Sequence, residues 1–156
     1  MQVTNQLRPE LGDFSSIVCF RAVVTGIEEA LGEKAALISL IAAGRVRGKQ
    51  VAQEMHIEPG QPVEQIALAM QKALGSEGTR LCLVDKIEMA GDAYRVFCRE
   101  TICSTGEPQG SARTLSYTLG ALQGVLEVAT GKRLRGKQIE SVLRGSSHDV
   151  AEFNEY

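Results

Sequence analysis

The most regular pattern of apolar and polar positions in this chain lies between residues 115 and 131. Apolar side chains recur there at helical spacing, at Leu115, Leu119, Leu122, Val125, Leu126 and Ala129. The pattern predicts a helix that begins at Tyr117 and covers a sheet with its apolar stripe. Gly131 is expected to end the helix, because a glycine just past the last periodic residue readily takes a left-handed conformation. Glu127 is expected on the exposed side.

Two glycines interrupt this predicted helix on one side. Gly120 and Gly124 lie four residues apart, on the same side as Tyr117. Each glycine costs roughly 1 kcal/mol of helix stability relative to alanine, so the pair needs a compensating contact. Close packing of a strand or contact with a flat ligand would each provide one, and packing on a strand is the favoured alternative.

The N-terminal half has the spacing of helices. An apolar helical pattern covers residues 27–42, and a more polar one covers residues 45–55. Gly32 and Gly44 are the expected points of division. A third helical pattern begins at Pro62 and stops at Gly75.

The apolar period then changes from 3.6 to 2, which is typical of strands. On the first strand Leu81, Leu83, Ile87 and Met89 are expected to face inward, and on the second Val96, Cys98 and Ile102. A turn centred on Gly91 and Asp92 joins them. A second hairpin is expected after Gly131. The order of helices, hairpin, helix and hairpin predicts an α+β fold with helices packed on an antiparallel sheet.

Length and composition favour one globular domain. The chain has 156 residues, of which 44% are apolar and 23% charged, and its formal net charge is -2. We expect an N-terminal arm or short helix over residues 1–26 and a single domain over residues 27–156. The lack of a basic excess, together with four phenylalanines, three tyrosines and no tryptophan, argues against nucleic acid binding.

The sequence shows no clear pattern for a membrane-spanning segment or for paired cysteines. The longest apolar run, around residues 35–43, is too short to span a bilayer, so we expect no transmembrane segment, whereas peripheral membrane contact stays open. The four cysteines form no C-x-x-C pair, and no secretory signal pattern opens the sequence. Reduced thiols and a cytoplasmic location are therefore expected.

Two basic heptapeptides are nearly identical, at residues 45–51 and 133–139. Their cationic side chains are Arg45, Arg47, Lys49, Arg133, Arg135 and Lys137. If the fold brings them together, they would bind a phosphate, a carboxylate or an acidic protein partner. A chance similarity between two solvated surfaces is the favoured alternative.

Catalytic and metal-binding patterns are missing from the sequence. Neither of the two histidines, His56 and His148, has the spacing of a metal-ligand pair, and no phosphate-binding glycine loop is present. Cys98 is expected to be a small buried hydrophobe, whereas Cys82 and Cys103 fall on the other strand face, where contact with water would expose them to oxidation. The sequence therefore favours a protein that is not an enzyme and has no metal site.

Several of these residues together resemble a known family. Tyr117-x-x-Gly120-Ala-Leu-x-Gly124, followed by Gly145-Ser-x-x-Asp149-x-x-x-Phe153, resembles the C-terminal signature of the four-vinyl-reductase, or hydrocarbon-binding, domain. Residues 31–35, with Gly44 and Gly48, are similar to the first long helix of that family and of the related TRAPP-type trafficking-complex small subunits. Family members often carry cysteines near residues 141–143 and 150–151, and this chain has none there.

The resemblance implies a compact domain, often a homodimer, that holds a small hydrophobic molecule such as a tetrapyrrole or a lipid between helices and sheet. The ligand-binding residues would be Leu83, Val96, Cys98, Tyr117, Leu119, Gly120 and Gly124. A filled core would have the same apolar pattern. The leading hypothesis is non-catalytic binding of such a molecule. The alternatives are a scaffold that docks an acidic partner through its basic segments and an accessory role in tetrapyrrole vinyl reduction.

Overall fold

The computed structural model of the chain describes Glu10 and residues 16–156, so most of the arm expected before residue 17 lies outside the described part. Helix α1 spans Ile17–Leu31, and the Ser16 hydroxyl at its start accepts a hydrogen bond from the Cys19 N–H at 3.5 Å. The domain boundary expected between residues 26 and 27 falls inside this helix.

Helix α2 is longer than the sequence pattern predicts. It follows Gly32, whose φ of 79° separates it from α1, and it spans Glu33–Glu54 without a break. The division expected at Gly44 is wrong, because Gly44 is buried against another helix and stays helical. Helix α3, Val63–Leu74, begins after Pro62 and stops at Gly75, as predicted.

Four antiparallel strands form one sheet in the order β1-β2-β4-β3. They are β1 (Leu83–Ala90), β2 (Ala93–Arg99), β3 (Leu134–Glu140) and β4 (Asp149–Glu155). Helix α4, Tyr117–Thr130, lies between the two hairpins in sequence and ends at Gly131 in a left-handed conformation with φ of 67°. The predicted α+β fold is confirmed.

A β-bulge in β1 changes which side chains face the core. Val84 pairs with Cys98 and Lys86 with Phe97, which leaves Asp85 as the extra residue of the bulge. The extra residue reverses the alternation of side chains, so Val84 is buried together with Ile87. The inward orientation expected for Leu83 is therefore wrong, since Leu83 is half-buried. The expectation for Met89 is also wrong, but for another reason: Met89 follows the buried Ile87 in regular alternation on the same face, but it is 47% exposed close to the hairpin turn.

Helix α4 is the centre of the core. Its residues from Thr118 to Glu127 are all buried. One side contacts the backbone of α2, and the opposite side packs on the sheet, where Leu119 reaches Gly136 and Phe153 of the second hairpin. Because α4 is covered on both sides, a change on either side affects the whole domain.

Candidate functional site

The two glycines of α4 face two glycines of α2 with the same spacing. We call these four residues the glycine seam: Gly44, Gly48, Gly120 and Gly124. A Cβ atom added at Gly120 would lie 2.1 Å from the carbonyl oxygen of Ile41, and one added at Gly44 would lie 2.0 Å from that of Tyr117. Helix packing therefore supplies the compensating contact, and the expected packing on a strand is wrong. The backbone of α2 fills this face and leaves no space for a ligand there.

Tyr117 lies at the start of α4, beside α1. Its ring meets the ring of Phe20 edge to face, with 4.8 Å between the centroids and an angle of 76° between the planes. Burial raises the pKa of the Tyr117 phenol, against a smaller opposing effect of Arg47. The phenol is therefore neutral at physiological pH and joins α1 to α4 through an aromatic contact.

The other predicted ligand-binding residues lie in two further places. Val96, Cys98 and Leu119 are buried in the main core cluster. Leu83 lines an open groove between α3 and β1. The seven predicted ligand-binding residues therefore do not form one site. Gly120 and Gly124 lie in the glycine seam and Tyr117 lies at the start of α4, whereas the others lie in the core or in this groove.

The groove, which we call the α3–β1 groove, has a volume of about 560 Å³. Its lining includes Leu68, Lys72, Glu77, Leu83, Val84 and Asp85. An adjoining cavity of about 320 Å³ shares Leu83 and Ser76 with it and reaches Cys82. Leu68 is 63% exposed, so α3 presents a large apolar side chain to this surface. The side of α3 that faces the core carries Ile66, Ala67, Met70 and Leu74, and Leu68 lies outside it.

The cysteines of the β1–β2 region are buried thiols. A hydrogen bond with Cys82, followed by burial, raises the pKa of the Cys98 thiol well above its usual value. Cys98 is therefore uncharged at neutral pH, as expected of a small core residue. The water-exposed position considered for Cys82 and Cys103 is wrong, because both are buried, and Cys103 lies against Ser116 after the end of β2.

Glu127 was expected to be exposed, and this prediction is wrong: the residue is only 7% exposed. Its carboxylate accepts a hydrogen bond from Arg45 Nε at 2.6 Å and lies 3.7 Å from Lys49 Nζ. It also accepts the backbone N–H of Leu134 at 3.0 Å and the side-chain amide of Gln123 at 3.4 Å. Arg45 and Lys49 of the first heptapeptide and the backbone of the second therefore meet at one buried carboxylate of the chain itself. The cationic side chains of the second heptapeptide contact other residues.

The remaining basic residues also have partners within the chain. Arg47 forms a bidentate ion pair with Glu54, and Lys137 lies 3.6 Å from Glu152. The guanidinium groups of Arg133 and Arg135 lie 5.6 and 5.4 Å from the ring centroid of Tyr156. Docking of an acidic partner through these residues stays a prediction.

The first two helices carry an apolar surface, which we call the α1–α2 apolar face. Its large exposed side chains are Val18, Val23, Leu31, Ile38 and Val46. Large apolar side chains that are left exposed are a common feature of protein–protein interfaces.

Metal ligands do not converge in the part of the chain that the structure describes, since it holds no group of three or more histidine, cysteine, aspartate or glutamate residues suited to an ion. Among the helices of residues 16–156, none combines the length and the apolarity needed to cross a membrane.

Two solved structures share the fold. The phenol-responsive sensory domain of the transcription activator PoxR, determined with phenol, has a TM-score of 0.67 at 15% identity and covers 91% of this chain and 75% of its own. A trafficking protein particle complex subunit 3 from Naegleria fowleri, covalently bound to palmitic acid, has a TM-score of 0.56 at 12% identity and covers 90% of this chain and 97% of its own. No family model and no curated protein matches the chain. At these identities the likeness establishes a common fold.

Proposed function

We propose that this chain binds a small hydrophobic molecule in the α3–β1 groove, and that this binding is non-catalytic. The observation that carries the proposal is the groove itself, whose lining combines the exposed Leu68 and the half-buried Leu83 with the ammonium group of Lys72. The fold likeness supports it, because phenol and palmitic acid are named with the two similar structures. Its volume of about 560 Å³ also lies in the range of small-molecule sites, roughly 300–1,000 Å³.

The groove suits an amphipathic ligand. Leu68, Leu83 and Val84 supply apolar contacts, and Lys72 on the same surface supplies an ammonium group. Glu77 and Asp85 also line the groove, and the carboxylate of Asp85 already binds Arg99 and His148. A ligand with an apolar body and a carboxylate would place the body on the leucines and the carboxylate on Lys72.

The core behind the groove offers a route to deeper binding. Leu83 lines both the groove and the adjoining cavity, and that cavity reaches Cys82, whose thiol contacts Cys98. Val96 and Leu119 belong to the same core cluster as Cys98. Side-chain rearrangement along this path would admit part of a ligand between the hairpin and α4, at the residues that the sequence indicated.

The first test is native mass spectrometry of the freshly purified chain, followed by titration with phenol, palmitic acid and a porphyrin. We expect a noncovalent complex with at least one of them. Lys72→Gln should weaken binding of a medium-chain fatty acid by roughly tenfold and leave binding of the corresponding alcohol unchanged. Lys34→Gln, on α2, is the matched control and should change neither. Unchanged binding of the acid in Lys72→Gln would remove Lys72 from the site, and no complex with any probe would contradict the proposed function.

Membership in the hydrocarbon-binding family, and a tetrapyrrole as the ligand, are the finer parts of this proposal. They rest on the motif from Tyr117 to Gly124 and on the glycines of α2. Preference for the porphyrin over the fatty acid in the same titration would support the tetrapyrrole, and the reverse order would exclude it as the main ligand.

We further propose a homodimer formed through the α1–α2 apolar face. A twofold interface would bury these exposed apolar side chains, because each copy would cover those of the other. Ile38→Glu, at a position that is 63% exposed, should raise the dimer dissociation constant by roughly tenfold or more. Met89→Glu changes an exposed side chain on the β1–β2 hairpin and should have no effect. Sedimentation equilibrium measures both, and a wild-type chain that is monomeric at all concentrations would contradict the proposal.

A further inference from the structure

A chain of hydrogen bonds links a serine, a histidine and an aspartate on the sheet. Ser147 Oγ lies 2.8 Å from His148 Nδ1, and His148 Nε2 lies 2.9 Å from Asp85 Oδ2. Arg99 donates to both oxygens of Asp85, at 2.5 and 2.9 Å. The order of groups is nucleophile, base and orienting carboxylate, which is the arrangement of hydrolytic triads.

The fold assembles this cluster from two strands and the turn before a third. Asp85 is the extra residue of the β1 bulge, and bulges commonly re-aim a side chain. Ser147 and His148 precede β4, after a turn in which Gly145 has φ of 94°. Strand β2 lies between β1 and β4 in the sheet and contributes Arg99. Sequence inspection missed the cluster because Asp85 and His148 lie 63 residues apart.

The charge of Asp85 determines the direction of the hydrogen bonds in this cluster. The hydrogen bond from Arg99 is the largest influence on the pKa of Asp85 and, with the contact to His148, lowers it. Asp85 is therefore a carboxylate at neutral pH and can only accept a hydrogen bond. In the neutral imidazole, His148 Nε2 then carries the proton that it donates to Asp85, and Nδ1 accepts the hydroxyl of Ser147. The Phe97 ring meets the imidazole edge to face at 5.7 Å and helps to hold its orientation.

We propose that Ser147, His148 and Asp85 form a hydrolytic site for small acyl esters. Ser147 is exposed, so an ester can reach its hydroxyl without a change in the fold. The site lies outside the proposed ligand-binding function and does not depend on it, although Asp85 also lines the α3–β1 groove.

The reaction needs only the ester and water. Ser147 Oγ bonds to the carbonyl carbon while its proton passes to His148 Nδ1, and the carbon–oxygen bond to the alcohol breaks as the alcohol takes that proton. Water then attacks the acyl-serine, again giving a proton to His148, and the carboxylic acid leaves as Ser147 regains its proton. Asp85 stabilises the imidazolium in both steps, and Arg99 is a positioning residue that acts through Asp85.

The test uses p-nitrophenyl acetate with the wild-type chain and two matched variants. Ser147→Ala should lower the enzyme-dependent rate by roughly 100-fold, the lower end of general-base effects, whereas the neighbouring Ser146→Ala should leave it unchanged. Thermal unfolding of each variant shows whether it is folded. A rate retained by Ser147→Ala but lost in His148→Asn would overturn the proposal, because an exposed imidazole alone hydrolyses activated esters.

A second measurement does not depend on any variant. A fluorophosphonate reacts with an activated serine and leaves a covalent phosphonyl group that peptide mass spectrometry locates. We expect the label on Ser147 of the wild-type chain and a strong decrease in labelling after His148→Asn. An unlabelled Ser147, or labelling spread equally over the exposed serines, would also overturn the proposal.

Discussion

Replacing Gly120 with alanine is expected to destabilise the domain by about 3 kcal/mol, since the added methyl group overpacks a closed helix interface. Its Cβ atom would lie 2.1 Å from the backbone carbonyl oxygen of Ile41, and a backbone atom cannot move aside as a flexible side chain can. Helices α2 and α4 would have to separate along the whole glycine seam. Urea unfolding measures the loss directly, and Gly120→Leu should prevent folding altogether.

The matched control is the same substitution at Gly26. This glycine lies inside α1, and a Cβ atom added to it would meet no atom within 4 Å. Gly26→Ala should therefore stabilise the chain by about 0.5–1 kcal/mol, the usual gain of alanine over glycine in a helix. If the two substitutions changed stability equally, α2 and α4 would not be in backbone contact.

Loss of the Glu127 carboxylate is expected to have the second largest effect, about 2 kcal/mol for Glu127→Ala. The substitution leaves the buried N–H of Leu134 and the amide of Gln123 without this acceptor, and it removes the partner of Arg45. Arg45 stays partly exposed, so water compensates part of the loss. Urea unfolding again gives the difference in the free energy of unfolding.

The control for Glu127 is another glutamate in an ion pair. Glu54 pairs with Arg47 but is exposed, so Glu54→Ala should cost less than about 1 kcal/mol. A loss at Glu127 no larger than at Glu54 would mean that Glu127 points to solvent, as the helical pattern alone suggests.

The stability of the domain at acidic pH should also depend on the Glu127 carboxylate. Burial is the largest single influence on the pKa of Glu127 and raises it, but the hydrogen bonds from Arg45, Leu134 and Gln123 together lower it. Because its folded-state pKa is below the unfolded value, Glu127 stabilises the fold above the unfolded-state pKa, and this contribution is lost as pH falls through the folded-state pKa. Glu127→Gln should therefore show a weaker decline of stability with acid than the wild type.

The regular elements could be predicted because their signals are local. The change of apolar period from 3.6 to 2 marks the start of the sheet, and Gly131 marks the end of α4. The bulge at Asp85 could not be predicted from alternation, since it depends on how β1 pairs with β2. One extra residue was enough to exchange the orientations of Leu83 and Val84.

The contacts of α4 with α2 and β3 were less predictable than the regular elements, because they join segments that are distant in sequence. The shared four-residue spacing of Gly44 with Gly48 and of Gly120 with Gly124 was a usable sign that two helices meet. Nothing local indicates that Glu127 is buried, because its donors come from α2 and from the start of β3. A helical stripe describes one helix alone, whereas α4 is covered on two sides.

Methyl NMR during a ligand titration tests the central proposal, binding of a small hydrophobic molecule at the α3–β1 groove, most directly. Phenol and a medium-chain fatty acid are the probes, and the methyl groups of Leu68, Leu83 and Val84 report on the groove. We expect saturable shifts of these methyl groups, while the methyl groups of Val18 on α1 stay unchanged. The absence of saturable shifts with either probe, or shifts confined to the α1–α2 apolar face, would contradict the proposal.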